Sequence, residues 1–161
     1  MVLRPMVARA AGIMVVLAAA AALTQGALTQ VALAQVALAQ ADVVKERQAL
    51  LKHFGELTKP TGAMLRGSAP FDLASVKAAL DAYVEGAKVL PGLFPEGSGA
   101  GTGALPAIWT NKADFETRFA KLGADAAAAR AAIADEASFK ANFPNVIRNC
   151  GGCHDNYRKK S

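Results

Sequence analysis

Three side chains near the end of the chain are of types that can do chemistry together. Cys150, Cys153 and His154 lie in the stretch NCGGCHDNYRKKS, residues 149–161, which holds both cysteines of the 161-residue sequence. On a helix, residues three and four apart share a face, so the two thiols and the imidazole project together. The pattern C-x-x-C-H is the attachment signal for a c-type haem. Two thiols add across two vinyl groups, and the adjacent imidazole ligates iron from one side. One porphyrin edge must be reached by both sulfurs while the imidazole reaches the metal, which accounts for the clustering. Three other chemistries fit the same residues less well. A redox dithiol usually opens a helix in an α/β unit, where the helix N-terminus lowers the first thiol's pKa. This motif sits late in a helix, and no run in the sequence alternates like a strand. A zinc site needs more ligands, and the only other histidine is His53. A disulfide here would strain a helical turn and leave His154 without a role.

The elements that must carry these residues read as helices throughout. A first apolar stripe runs Val43, Arg47, Leu50/Leu51, Phe54 and Leu57, continuing past a kink at Pro60 towards Leu65. Asp72 is placed to cap a second helix with the stripe Leu73, Val76, Leu80, Tyr83/Val84, Ala87 and Leu90, which Pro91-Gly92 ends. Residues 91–106 hold five glycines and three prolines and form the one long irregular connection. Asn111 is expected to cap a third helix bearing Phe115, Phe119, Leu122, Ala126, Ala129 and Ile133. After a tight turn at Ala134-Asp135, the last helix carries Phe139, Phe143, Val146/Ile147, Cys150, Cys153/His154 and Tyr157 on one face. Pro144 should interrupt or bend it early. Four amphipathic helices with short first and third links make an all-α, antiparallel up-down-up-down four-helix bundle. Its C-terminal helix presents the haem c attachment residues.

The front of the chain reads differently. Met1–Arg9 carries Arg4 and Arg9 and no acid, and Ala10–Leu23 is an uncharged apolar run of 14 residues. VALAQ then occurs twice in tandem, at Val31–Gln35 and Val36–Gln40, and each copy contains the Ala-Leu-Ala pattern of a signal-peptidase site. The apolar run is shorter than the ~20 residues a membrane span requires, and glutamines recur every five residues behind it. Residues 1–39 are therefore expected to be a cleaved secretory leader and spacer, cut after Ala39 or after Ala34. Residues 40–161 form one domain, exported to the periplasm and without a membrane anchor once cleaved. That domain keeps all 13 acidic residues and all but Arg4 and Arg9 of the 18 basic ones, a net of about +3. Three of those positives (Arg158, Lys159, Lys160) form the tail, which is too little and too local to point to nucleic acid.

The segments VKERQALL (44–51), LRGSAPFD (65–72), PAIW (106–109) and CGGCHDNYRKK (150–160) resemble the cytochrome c prime family, the class II c-type cytochromes. The similarity covers essentially all of residues 40–161. It implies one covalently bound haem c per chain, held by Cys150 and Cys153, with His154 as the axial iron ligand. The family pattern R-x-x-x-M or R-x-x-x-L on the first helix falls on Arg47 and Leu51. The resemblance puts Arg47 near a haem propionate and Leu51 over the open face of the iron, and it places Arg158 on the proximal side. Phe54 and Trp109 are candidate ring contacts. Leucine has no lone pair to offer iron. Met64 is 13 residues beyond Leu51, roughly 20 Å along a helix, and His53 is about 200° round the helix from Leu51. A five-coordinate, high-spin haem with an apolar distal face is the expectation. Nitric oxide or another small diatomic is then the expected ligand, and no enzymatic turnover is implied. The alternative is a one-electron transfer cytochrome working with a redox partner protein. Family members are commonly homodimers, and Leu57, Leu65 and Leu80 are the residues expected at such an interface.

Overall fold

The structure, a computed structural model, describes the backbone of residues 11–160, with side chains described at position 30 and from 35 onward. It is an all-α bundle. The helices are α1 (Ala11–Leu65), α2 (Leu73–Val89), the single turn α3 (Ala107–Thr110), α4 (Lys112–Ala132) and α5 (Glu136–Tyr157), with a 3₁₀ turn at Leu90–Leu93. Among the described residues the only β pairing is an isolated antiparallel bridge between Ala104 and Arg158. Two compact units divide at Gln40/Ala41, one residue from the expected cleavage point. Arg4 and Arg9 lie outside the described residues. The VALAQ copies, read above as spacer, are helical. Their five-residue period turns about 140° past a full turn each time, so it builds no apolar face. No helix of the described residues is long and apolar enough to cross a membrane.

Within residues 41–161 the core is built from α2, α4 and α5. Asp72 caps α2 as expected, its carboxylate accepting from the amides of Ala74 at 3.0 Å and Ser75 at 3.4 Å. The stripe behind it is closed to solvent at Val76, Ala79, Leu80, Tyr83 and Leu90. Phe115 and Phe119 of α4 and Phe139, Phe143 and Val146 of α5 meet it. Edge-on aromatic packing runs from Phe94 through Phe115 to Phe119 and Tyr157. Leu80 is fully buried, so it leaves the set of residues expected at a dimer interface.

Three details depart from the sequence reading. Asn111 sits at the start of α4 but its side chain caps nothing; it closes α3 by donating its amide to Ala107 at 2.9 Å. Asp135, read from the sequence only as part of a tight turn, caps α5. Its carboxylate accepts from the Ser138 amide at 2.8 Å, while the Ser138 hydroxyl accepts from the Asp135 amide at 3.0 Å. Pro144 does not interrupt α5, which runs unbroken from Glu136 to Tyr157, and α1 runs unbroken through Pro60. Each proline frees the carbonyl four residues earlier, and those residues, Lys140 and Glu56, are on the exposed side where solvent replaces the lost bond.

Candidate functional site

The last turns of α5 set the site. Val146 is fully buried, and Cys150, Cys153 and His154 continue its face outward, each half-buried. The two thiols are free. Burial pushes both thiols above the ordinary range, an effect that Arg118 and Arg158 partly offset at Cys153. Thiols held protonated are the opposite of a redox dithiol, whose first cysteine is an exposed, stabilised thiolate. Burial, and then the charge of Arg158, lowers the His154 pKa, which favours the neutral imidazole that a metal takes as ligand. Among the described residues there is no cluster of three or more His, Cys, Asp or Glu side chains suited to a metal ion.

In front of this face lies a cleft between α1 on one side and α4 and α5 on the other. It consists of one hollow of about 700 Å³ and a smaller one of about 210 Å³. Leu51, Phe119, Cys153, His154 and Arg158 line both, so the wall between the hollows carries the residues singled out by the sequence. The volume is in the range of sites that enclose cofactors. Leu51 remains 40% exposed, unusual for a leucine on a core-directed stripe. One turn on, Gly55 lines the larger hollow, and a Cβ added there would meet nothing within 4 Å. A glycine inside a helix costs about 1 kcal/mol relative to alanine, and no protein atom here requires it. The open space leaves room for a flat group against α1. The donor set, the volume and this cradle fit a haem held through Cys150 and Cys153.

Phe54 lines the larger hollow and packs edge-on against Tyr83 with centroids 5.0 Å apart. The approach is close enough that Gly86 of α2 has no room for a Cβ, which would fall 2.4 Å from Phe54 Cζ. Arg47 lines the smaller hollow at 2% exposure. Its guanidinium donates to the Ser98 carbonyl at 2.6 Å, the Ser98 hydroxyl at 2.7 Å and the Leu93 carbonyl at 3.3 Å, and it lies 4.5 Å from the centroid of Phe94. Burial lowers its pKa. Arg47 thus ties the glycine-rich connection to α1. Arg158 reaches both hollows from extended backbone just past α5. The bridge to Ala104 holds it there, with the Lys159 amide donating to Gly103 at 2.8 Å and the Leu105 amide to Tyr157 at 3.0 Å. Trp109 lines neither hollow; its indole N–H is shared by the carbonyls of Phe94 at 3.1 Å and Pro95 at 2.9 Å. His53 is exposed beside Glu56, and Met64 is buried away from both hollows.

Several site residues were not singled out from the sequence. The wall of the larger hollow includes Thr58, Lys59, Arg66 and Arg118, so it is less uniformly apolar than expected. The Thr58 hydroxyl is already engaged, donating to the Phe54 carbonyl at 2.6 Å and bonded to the Tyr83 hydroxyl at 2.7 Å. Lys59 continues the α1 spacing from Leu51 and Gly55, and that period was the available signal. Arg118 comes from α4, and nothing in its local pattern marks it.

A helical bundle that turns the thiols and imidazole of a C-terminal C-x-x-C-H into an interhelical cleft is the architecture of a haem-binding bundle. The family model for cytochrome C′ matches residues 42–158, and the chain belongs to that family. It is 52% identical over 121 residues to the cytochrome c′ of Rhodopseudomonas palustris, covering 74% of this chain and 83% of that one. The solved structure of that cytochrome superposes with a TM-score of 0.72, over 74% of this chain and 98% of the other. A cytochrome c-556 of Agrobacterium tumefaciens is 40% identical over 121 residues, 74% of this chain and 99% of its own. A nitric oxide complex of a leucine-to-isoleucine mutant of the cytochrome c′ from Alcaligenes xylosoxidans is 28% identical, with a TM-score of 0.65 over 75% of this chain and 97% of that one. Family membership implies a covalent haem c, with which the two cysteines near the C-terminus agree.

Proposed function

We propose that this chain is an exported monohaem protein that binds nitric oxide and similarly small diatomics, and that it does so without turning them over. Cys150 and Cys153 would hold the haem, His154 would ligate its iron, and Arg47 and Arg158 would face its charged and proximal sides. Bound there, a haem would supply the iron at which a diatomic binds. The single observation carrying the reading is that Leu51 on α1 and His154 on α5 line the same two hollows from opposite walls. A side chain without a lone pair would thus lie opposite the axial ligand. Leucine would offer no atom to coordinate iron and no hydrogen bond to retain dioxygen. The nitric oxide complex of the Alcaligenes relative supports this choice of ligand. The test is anaerobic addition of nitric oxide to the ferrous holoprotein, followed by carbon monoxide binding rates in Leu51→Ala. The reading expects a spectral response to nitric oxide and faster carbon monoxide binding in the variant. Unchanged rates would remove Leu51 as the lid.

One-electron transfer is the second reading. It is favoured by the cationic wall of the cleft, where Lys59, Arg66, Arg118 and Arg158 line the larger hollow and no carboxylate does, a surface suited to an acidic redox partner protein. Export to the periplasm belongs to the same proposal, with residues 1–39 as the leader. The division of the chain at Gln40/Ala41 supports a boundary there. Intact mass of the secreted protein should correspond to a chain starting at Gln40 plus one covalently bound haem; a chain starting at Gln35 would mark cleavage after Ala34 instead.

A further inference from the structure

The turn that carries His154 is tied to α4 by a pair of residues that the haem reading does not use. Asp114 and Arg118 are one helical turn apart on α4, and Arg118 Nε donates to Asp114 Oδ2 at 2.7 Å. The other end of the same guanidinium donates to the carbonyl of Gly152, between the two cysteines, at 2.8 Å. The Tyr157 hydroxyl donates to the same Asp114 oxygen, and the guanidinium lies 5.5 Å from the centroid of the Tyr157 ring. One Asp–Arg pair therefore grips α5 two residues before His154 and three residues after it. Just beyond, the backbone bonds between residues 157–159 and 103–105 fix the end of the helix. The turn bearing the axial ligand is held at both ends.

We propose that Asp114 and Arg118 act as a strap that fixes the backbone of the His154 turn against α4, and that this strap limits how far His154 can follow the iron. The inference rests on the haem reading above and adds positioning residues to it. Hydrogen-bonded neighbours of a metal-binding histidine set its orientation and the strength of its bond to the metal. Here the control acts on the main chain instead of the ring. With a haem bound, a strapped turn would resist displacement of His154, whereas a free helical turn would let the imidazole adjust its position. Lysine cannot replace Arg118 in this role, because a single ammonium lacks the planar fork that reaches Asp114 and Gly152 at once.

The test compares wild-type holoprotein with R118Q, R118K and Y157F. In resonance Raman spectra of the ferrous, ligand-free state, the iron–histidine stretch should move to higher frequency in R118Q and R118K, and by less in Y157F. With nitric oxide added, the fraction keeping His154 on iron should rise in the same order. Amide hydrogen exchange at residues 152–156 should accelerate in R118Q while the amides of α2 keep their rates. An unshifted or lowered stretch, or unchanged exchange at 152–156, would overturn the strap. If R118Q fails to take up haem, Y157F, which removes one tie and keeps the ring, decides by the same three readings. A wild-type protein that ignores nitric oxide but shows the R118Q shift keeps the strap and loses the gas-binding reading. One that lacks the stretch because iron is six-coordinate loses the five-coordinate reading, and the exchange rates then judge the strap alone.

Discussion

The packing of α2 against α4 and α5 and the cleft between α1 and α5 are made from stripes of the same period, yet one closes and the other stays open. Val76, Leu80, Phe139 and Phe143 are fully buried by other protein atoms. On the cleft side Leu51 is 40% exposed, Phe54, Leu65 and Ile147 are half-buried, and Gly55 has no side chain to offer. The first region is a core that the chain completes by itself. The second is a stripe that protein atoms leave partly uncovered, and α1 is the helix that borders it. The difference teaches that an amphipathic stripe states which face turns inward without stating what fills the interior.

Substitutions that touch the two regions should therefore separate by kind of effect. The largest loss of stability is expected on the closed side, where Phe139→Ala should cost about 3–5 kcal/mol in urea unfolding. Next comes the seam between the regions: Gly86→Ala forces a Cβ against Phe54. Moving that ring should cost about 1–3 kcal/mol. On the open side the sign reverses. Gly55→Ala should leave the haem-free protein as stable or up to about 1 kcal/mol more stable. Gly55→Leu should instead reduce haem incorporation measured by the haem-to-protein absorbance ratio, because its side chain enters the cradle. Equal incorporation in Gly55→Leu and wild type would show that nothing flat lies against that turn.

The smallest effect concerns pH. The Tyr157 hydroxyl, and then Arg118, hold the Asp114 carboxyl below the usual carboxylate range. A depressed native pKa contributes stability above the unfolded-state pKa and loses it as pH falls through the native one. The difference in urea midpoint between wild type and Asp114→Asn should accordingly be present at neutral pH and vanish in acid. A difference that persists unchanged in acid would mean the carboxylate charge is not what Arg118 and Tyr157 recognise.

Much of this was legible before any coordinates. The stripe of α2 and its Asp72 cap follow from local sequence, and the face shared by Val146, Cys150, Cys153 and His154 follows from helical spacing alone. The capping box at Asp135 was written in D-x-x-S and was passed over in favour of a simple turn. Arg158 was placed near His154 by the resemblance alone; what positions it is the bridge to Ala104, a pairing across 54 residues that no local period encodes. Arg118 was hidden in the same way. Arg47 could be seen to lie on an inward stripe, but its bonds to Ser98 depend on how the glycine-rich connection folds back. Residues whose roles come from their own helix were readable; those whose roles come from another helix or loop were not.

The central claim is that the chain offers iron a histidine from α5 and nothing from α1. Optical and electron paramagnetic resonance spectra of the purified, ligand-free holoprotein test it most directly. The account predicts high-spin spectra in both oxidation states, with a single broad visible band when ferrous. Sharp α and β bands in the ferrous protein, the mark of a low-spin iron with a second protein ligand, would contradict it.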